Sequence, residues 1–154
     1  MKTTEEMFWE VYAIMQNMAE QFKELAHSRL LPTKDQIIQH VSYSCKVDPD
    51  VVLTRTRKEE IAEARQLIHV LFKFGLKMSL SNAGHYGGGF DHATVMNSIN
   101  RVSDRYKSYP MYRESVNQMI SNLFQSEENQ NQIIARIIDP HLDRKHTYAK
   151  LELA

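Results

Sequence analysis

Glycine and proline divide this chain more sharply than any other feature of it. All five glycines fall between Gly75 and Gly89, and the four prolines stand at Pro32, Pro49, Pro110 and Pro140. A helix interior tolerates these residues least, and between them the apolar residues recur with the spacing of an amphipathic helix. Thr3 and Glu6 have the separation of a capping box ahead of a stripe of Met7, Val11, Met15, Met18, Phe22 and Leu25. Thr33 and Gln36 repeat the device after Pro32 and predict a short helix that buries Ile37, Ile38 and Val41. A third helix is predicted from about Lys58 to Phe74, with Ile61, Ala64, Leu67, Ile68 and Leu71 inward and Gly75 as its stop. A short segment from Ser79 to His85 precedes the glycines, after which Asp91 caps a helix with Val95, Ile99 and Val102 on one side. Pro110 opens a helix carrying Tyr112, Val116, Met119 and Leu123; Ser126 opens one carrying Ile133, Ile134, Ile137 and Ile138, closed by Pro140. Nothing alternates with period two for long enough to argue a strand. The predicted fold class is all-α, with a polar, frayed end over residues 141–154.

A chain of 154 residues suits one domain with a sizeable core and a short appendage at either end. Cys45 is the only cysteine, which excludes a disulfide framework and a four-cysteine zinc site. The opening MKTTEEMFWE places two acids where a signal peptide needs a positive region and an apolar run. The richest apolar stretch, LIHVLFKFGL, is interrupted by His69 and Lys73, short of the ~20 residues that span a bilayer. The expectation is a soluble, cytoplasmic protein with no membrane partner.

Nineteen Lys and Arg balance nineteen Asp and Glu, so charge alone makes this neither a polybasic coat for nucleic acid nor an acidic mimic. The balance is not uniform. Residues 1–50 carry five basic against eight acidic side chains, net −3. Residues 51–113 carry ten against five, net +5, and residues 114–154 four against six, net −2. A basic middle between acidic flanks is the distribution expected if only the middle meets a polyanion.

Within that middle, SLSNAGHYGGGFDHATV (Ser79 to Val95) reads as a short helix, a glycine-rich turn and a second helix whose first turn offers Asp91, His92, Ala93 and Thr94. A helix–turn–helix has this arrangement, with its second helix entering the major groove N-terminal end first. Short polar side chains there approach base edges without a clash, and a helix N-terminus favours a nearby phosphate. The run Gly88, Gly89, Phe90, Asp91, His92, Ala93, Thr94, Val95 resembles the signature of the C-terminal DNA-binding domain of the bacterial replication initiator DnaA, which reads Gly-Gly-Arg-Asp-His-Thr-Thr-Val or close to it. The likeness extends upstream through Gly84, Leu80 and Ser79. It includes Glu63, Ala64, Arg65 and Gln66, the TRTRK loop from Thr54 to Lys58, and IIQHVSYSCKVDPDVVL before it. Residues 34–104 are covered.

The resemblance implies a Trp-repressor-like helical bundle with a helix–turn–helix that binds double-stranded DNA. Base reading falls by position to Asp91, His92, Ala93 and Thr94. Arg65 and Gln66 match residues that hold phosphates, and Arg55, Arg57 and Lys58 match the basic loop that reaches the adjacent minor groove. Guanidinium groups suit both tasks. Two departures from the signature bear on the target. Phe90 stands where the family has arginine, removing a cation from the groove edge. Ala93 replaces Thr or Ser and keeps only a methyl able to touch thymine. The full initiator carries an ATPase module, but no G-x-x-x-x-G-K-[ST] occurs here. Nucleotide is therefore not expected; nor are a cofactor, a metal or catalytic residues, because no second His or carboxylate stands at a helix-face spacing such as i, i+4 from the Asp91–His92 pair.

The resulting division is a helix over 1–33, a DNA-binding domain over 34–107, further helices over 108–138 and a tail over 139–154. Plainer readings stand beside these. His69 reads as a partly buried packing residue, His141 and His146 as solvent-facing, and Glu59, Glu60 and Glu63 as a solvated helix face. The stripe of Met7, Phe8, Val11, Met15, Met18 and Phe22 reads most simply as core. Its heptad-like spacing also fits a homodimer seam. The expected role is control of replication or of a mobile element. The rivals are a transcription regulator that dimerises on a palindrome and an interaction module that has lost DNA reading.

Overall fold

Local capping chemistry sets where the helices begin. In the computed structural model, which describes residues 1–29 and 31–142, Thr3 and Glu6 exchange their hydrogen bonds, 3.2 Å each, at the start of α1 (Thr4–Arg29). Thr33 and Gln36 do the same for α2 (Lys34–Ser44), at 3.1 and 2.9 Å. Ser79 caps α4 (Leu80–Tyr86), Asp91 caps α5 (His92–Ser108) and Ser126 caps α7 (Glu127–Ile138), each through its side-chain oxygen. Pro110 occupies the first turn of α6 (Pro110–Leu123), where a missing N–H breaks no helical bond. No strand occurs among the described residues.

The third helix departs from its predicted form. It runs as α3 (Glu59–Val70) and then widens into a single π-turn over Leu71–Gly75. The wider turn puts Phe72 and Phe74 both into the core. Gly75 ends it because the Phe124 ring packs where a side chain would stand. Two lysines, Lys46 after α2 and Lys77 after the π-turn, take the left-handed backbone conformation, each with φ of 57°.

The chain divides into two units, Met1–Leu31 and a larger one beginning at Pro32. In the larger unit α3 packs chiefly on α5, and α4 on α5. The two C-terminal helices belong to the same core: Val116, Met119 and Ile120 of α6 and Ile133 and Ile137 of α7 join Ile37, Ile68, Leu71, Phe72 and Val102 as buried residues. Residue 108 therefore marks no break in the packing. In the first unit the stripe expected as core is not core. Met7, Phe8, Val11, Met15, Met18 and Phe22 are 48–72% exposed, because α1 is a lone helix within its unit. No helix among the described residues is long and apolar enough to cross a membrane. The expected frayed end, with His146, lies outside the described residues from 143 onward.

Candidate nucleic-acid interface

The glycine-rich turn is a constrained link. Gly88 and Gly89 have φ of +113° and +76°, which L side chains adopt at a penalty. At Gly88 a Cβ would also strike the Leu53 carbonyl. The amides of Gly89 and Phe90 both donate to the Gly84 carbonyl, at 3.0 and 2.9 Å. The chain thus leaves α4 and enters α5 along one path.

His69 locks that path from beneath. It is fully buried rather than partly so, with Nε2 donating to the Gly87 carbonyl and Nδ1 paired with the Ser98 hydroxyl, both at 2.9 Å. A carbonyl only accepts, so Nε2 carries the proton and Nδ1 accepts in the neutral ring. Desolvation holds its pKa below the ordinary histidine value, partly opposed by the Gly87 bond and aided by the charge of Arg65. One imidazole therefore joins α3, the turn and α5. Its sequence neighbours Ile68 and Val70 signal burial but not these partners.

On the first turn of α5, His92 and Ala93 are exposed and Thr94 is half-buried. Asp91 Oδ1 accepts from the Thr94 amide at 2.8 Å and from its hydroxyl at 2.7 Å. Those bonds, hydroxyl first, hold the Asp91 carboxyl below its usual range, with smaller contributions from His92 and Arg55. The Thr94 hydroxyl is thus engaged within the protein, leaving its methyl as the group suited to a thymine. Asn97, one turn beyond Ala93, is also exposed. Sequence reasoning passed it over, although the i, i+4 spacing from Ala93 marks the shared face and an amide suits adenine.

The predicted cations occupy unequal positions. Arg57 and Lys58 are exposed in the loop before α3. Arg55 donates from Nη2 to the Gly89 carbonyl at 2.8 Å, and Arg65 from Nη1 to the Thr54 carbonyl at 2.7 Å. Both guanidiniums lie over the Phe90 ring, 5.0 and 4.7 Å from its centroid. Phe90 therefore does not leave a gap where the signature has arginine. Gln66, expected at a phosphate, is buried: its Oε1 accepts from Arg105 Nη1 at 2.7 Å, thirty-nine positions away. Arg105 also pairs with Glu63 at 3.7 Å, which takes Glu63 out of the solvated face expected for it. Among the described residues no group of three or more His, Cys, Asp or Glu is arranged to hold a metal.

Residues 34–102 match the family model described as the bacterial dnaA protein helix-turn-helix. Curated relatives are chromosomal replication initiator proteins DnaA. The protein from Synechococcus sp. is 31% identical over 91 residues, covering 59% of this chain and 20% of its own length. The Porphyromonas gingivalis protein is 33% identical over 93 residues, 58% of this chain and 20% of its own. The Bacteroides fragilis protein is 34% identical over 70 residues, 46% and 15% respectively. The chain spans about one fifth of the length of the first two.

Proposed function

Because residues 34–102 are a DnaA-type helix–turn–helix domain, we propose that this chain binds double-stranded DNA with sequence preference and without using ATP. The observation that carries the reading is the exposed first turn of α5 beside Arg55 and Arg65, which meet at the Phe90 ring, with Arg57 and Lys58 exposed in the same loop as Arg55. Inserted in the major groove, this turn presents the His92 ring, the Ala93 and Thr94 methyls and the Asp91 carboxylate to base edges. Arg57 and Lys58 reach the adjacent minor groove or its phosphates, and Arg55 and Arg65 meet the backbone. Gln66 contributes by fixing α3 to α5 through Arg105. The role is control of replication or of a mobile element.

Anisotropy titrations test this. Arg65→Ala should weaken all duplexes about equally and lower the salt slope by roughly one unit. His92→Ala should lose about 1–3 kcal/mol on a site selected from random duplexes, with little change on random DNA. Equal losses on both duplexes would remove His92 from base reading. Absence of any duplex binding at low salt would refute the proposal and favour the interaction-module alternative.

A second element of the reading is a homodimer through α1. Phe8, Val11, Met15, Met18 and Phe22 follow a 3–4–3–4 spacing, flanked by Met7, Tyr12 and Ile14, and all eight are exposed. Such a repeat fits a matching seam on a second copy, and that is the occupant proposed. The chain should sediment as a dimer, and Met15→Glu with Phe22→Glu should make it monomeric without moving the melting of the larger unit. A wild-type monomer at high micromolar concentration would exclude the seam.

A further inference from the structure

We propose that Phe90 is a positioning residue, whose ring gathers the Arg55 and Arg65 guanidiniums beside the N-terminus of α5 and holds them oriented for DNA phosphates. The inference rests on the duplex-binding reading above. Its starting point is that one ring serves two cations from different segments. Arg55 comes from the loop before α3 and ties to the turn at Gly89. Arg65 comes from α3 and ties back to the loop at Thr54. Phe90, in the turn, lies under both, at 5.0 and 4.7 Å. Loop, helix and turn are thus joined in a closed circuit with the ring at its centre.

The ring itself is fixed. The Phe90 amide is bonded to Gly84, and the Phe90 carbonyl lies so close to Gly84 that no side chain fits there. The His69 imidazole meets the ring edge-on at 5.5 Å, and that imidazole is bonded on both nitrogens. An aromatic face attracts a guanidinium while taking none of its N–H groups. Each arginine has five such donors, of which one Nη goes to a carbonyl. Arg65 Nε is buried, but further Nη–H groups of each arginine remain for phosphate oxygens, on a side chain whose rotamer freedom is already reduced before DNA arrives. Two guanidiniums repel each other, and an aromatic face offsets that repulsion without neutralising either charge, as a carboxylate would. An arginine at position 90 would add a third cation to this group instead of gathering the two.

The test compares Phe90→Leu, which keeps an apolar side chain but no π face, with Phe90→Tyr, which keeps the face. Both are titrated with random duplex at several salt concentrations, in the full chain and in an Arg55→Ala, Arg65→Ala background. Phe90→Leu should weaken binding about threefold to tenfold and flatten the salt slope, Phe90→Tyr should bind within about twofold of wild type, and Phe90→Leu should change nothing in the background that lacks both arginines. In the free protein, NMR should show ring-current-shifted Arg55 and Arg65 side-chain signals that move to ordinary positions in Phe90→Leu. Wild-type affinity for Phe90→Leu, or the same loss with and without the arginines, overturns the inference, the latter because it marks a merely structural effect. If the wild type itself binds no duplex, the DNA-binding reading fails, which is visible before any variant is compared.

Discussion

Replacing His69 with leucine tests how much of the helix–turn–helix geometry hangs on one buried ring. Leucine fills a similar volume and restores apolar contact, so the loss is chiefly polar. The Ser98 hydroxyl keeps an alternative acceptor, the Thr94 carbonyl at 3.1 Å. The Gly87 carbonyl loses the Nε2 donor, and an unsatisfied buried carbonyl costs about 1–3 kcal/mol. The expected destabilisation is therefore about 2 kcal/mol, which lowers the melting temperature of a chain this size by roughly 4–8 °C. His69→Gln places an amide N–H near the Nε2 position and should recover part of the loss. Thermal melting followed by circular dichroism measures both variants. Amide exchange at Gly89 and Phe90 should quicken in His69→Leu, because their bonds to Gly84 belong to the turn that His69 holds. Melting of His69→Leu at the wild-type temperature, or His69→Gln as unstable as His69→Leu, would refute the assignment of this ring as the turn's anchor.

The same ring sets a pH dependence. Its folded pKa lies below the ordinary histidine value of about 6.5, so between the two values the unfolded chain binds more protons. Stability is thus fully present above 6.5 and falls as pH drops toward the folded value; the melting temperature should decline from pH 7 to pH 5, and less steeply in His69→Gln. Lys46→Gly and Lys77→Gly each relieve a left-handed backbone on a residue with a Cβ and should stabilise by about 0.5–1 kcal/mol in urea titrations, after the added entropy of the unfolded glycine; a loss would show that these lysines make stabilising contacts. Asp91→Asn should keep the cap on α5 and the melting temperature while changing base preference, whereas Asp91→Ala should lower both stability and affinity. Equal stability of the two variants would mean that the cap does not limit the fold.

What the sequence revealed follows the range of the interactions involved. The caps Thr3, Thr33, Asp91 and Ser126 act on amides within three residues, and all four do so here. The helical class follows from them and from the apolar period. Partners distant in sequence were not legible. Gln66 looks like an exposed helix residue until Arg105 covers it, and Phe90 reads as a lost cation until Arg55 and Arg65 converge on it. The π-turn has no pattern of its own, since a single wide turn shifts the helical period only locally. The α1 stripe carries the period of a buried face, but periodicity cannot say whether the chain or a second molecule covers it.

The place of α7 in the core has a consequence for synthesis. Ile133 and Ile137 are among the last described residues and line the same interior as Ile37 and Ile68. The larger unit therefore cannot close until residue 137 has been made. The apolar seam of α1 is translated about a hundred residues earlier, which at 5–20 residues per second is about 5–20 s of exposure on the ribosome. Neighbouring nascent chains on one messenger present the same bare helix during that interval, so the α1 pairing proposed above would precede closure of the larger unit.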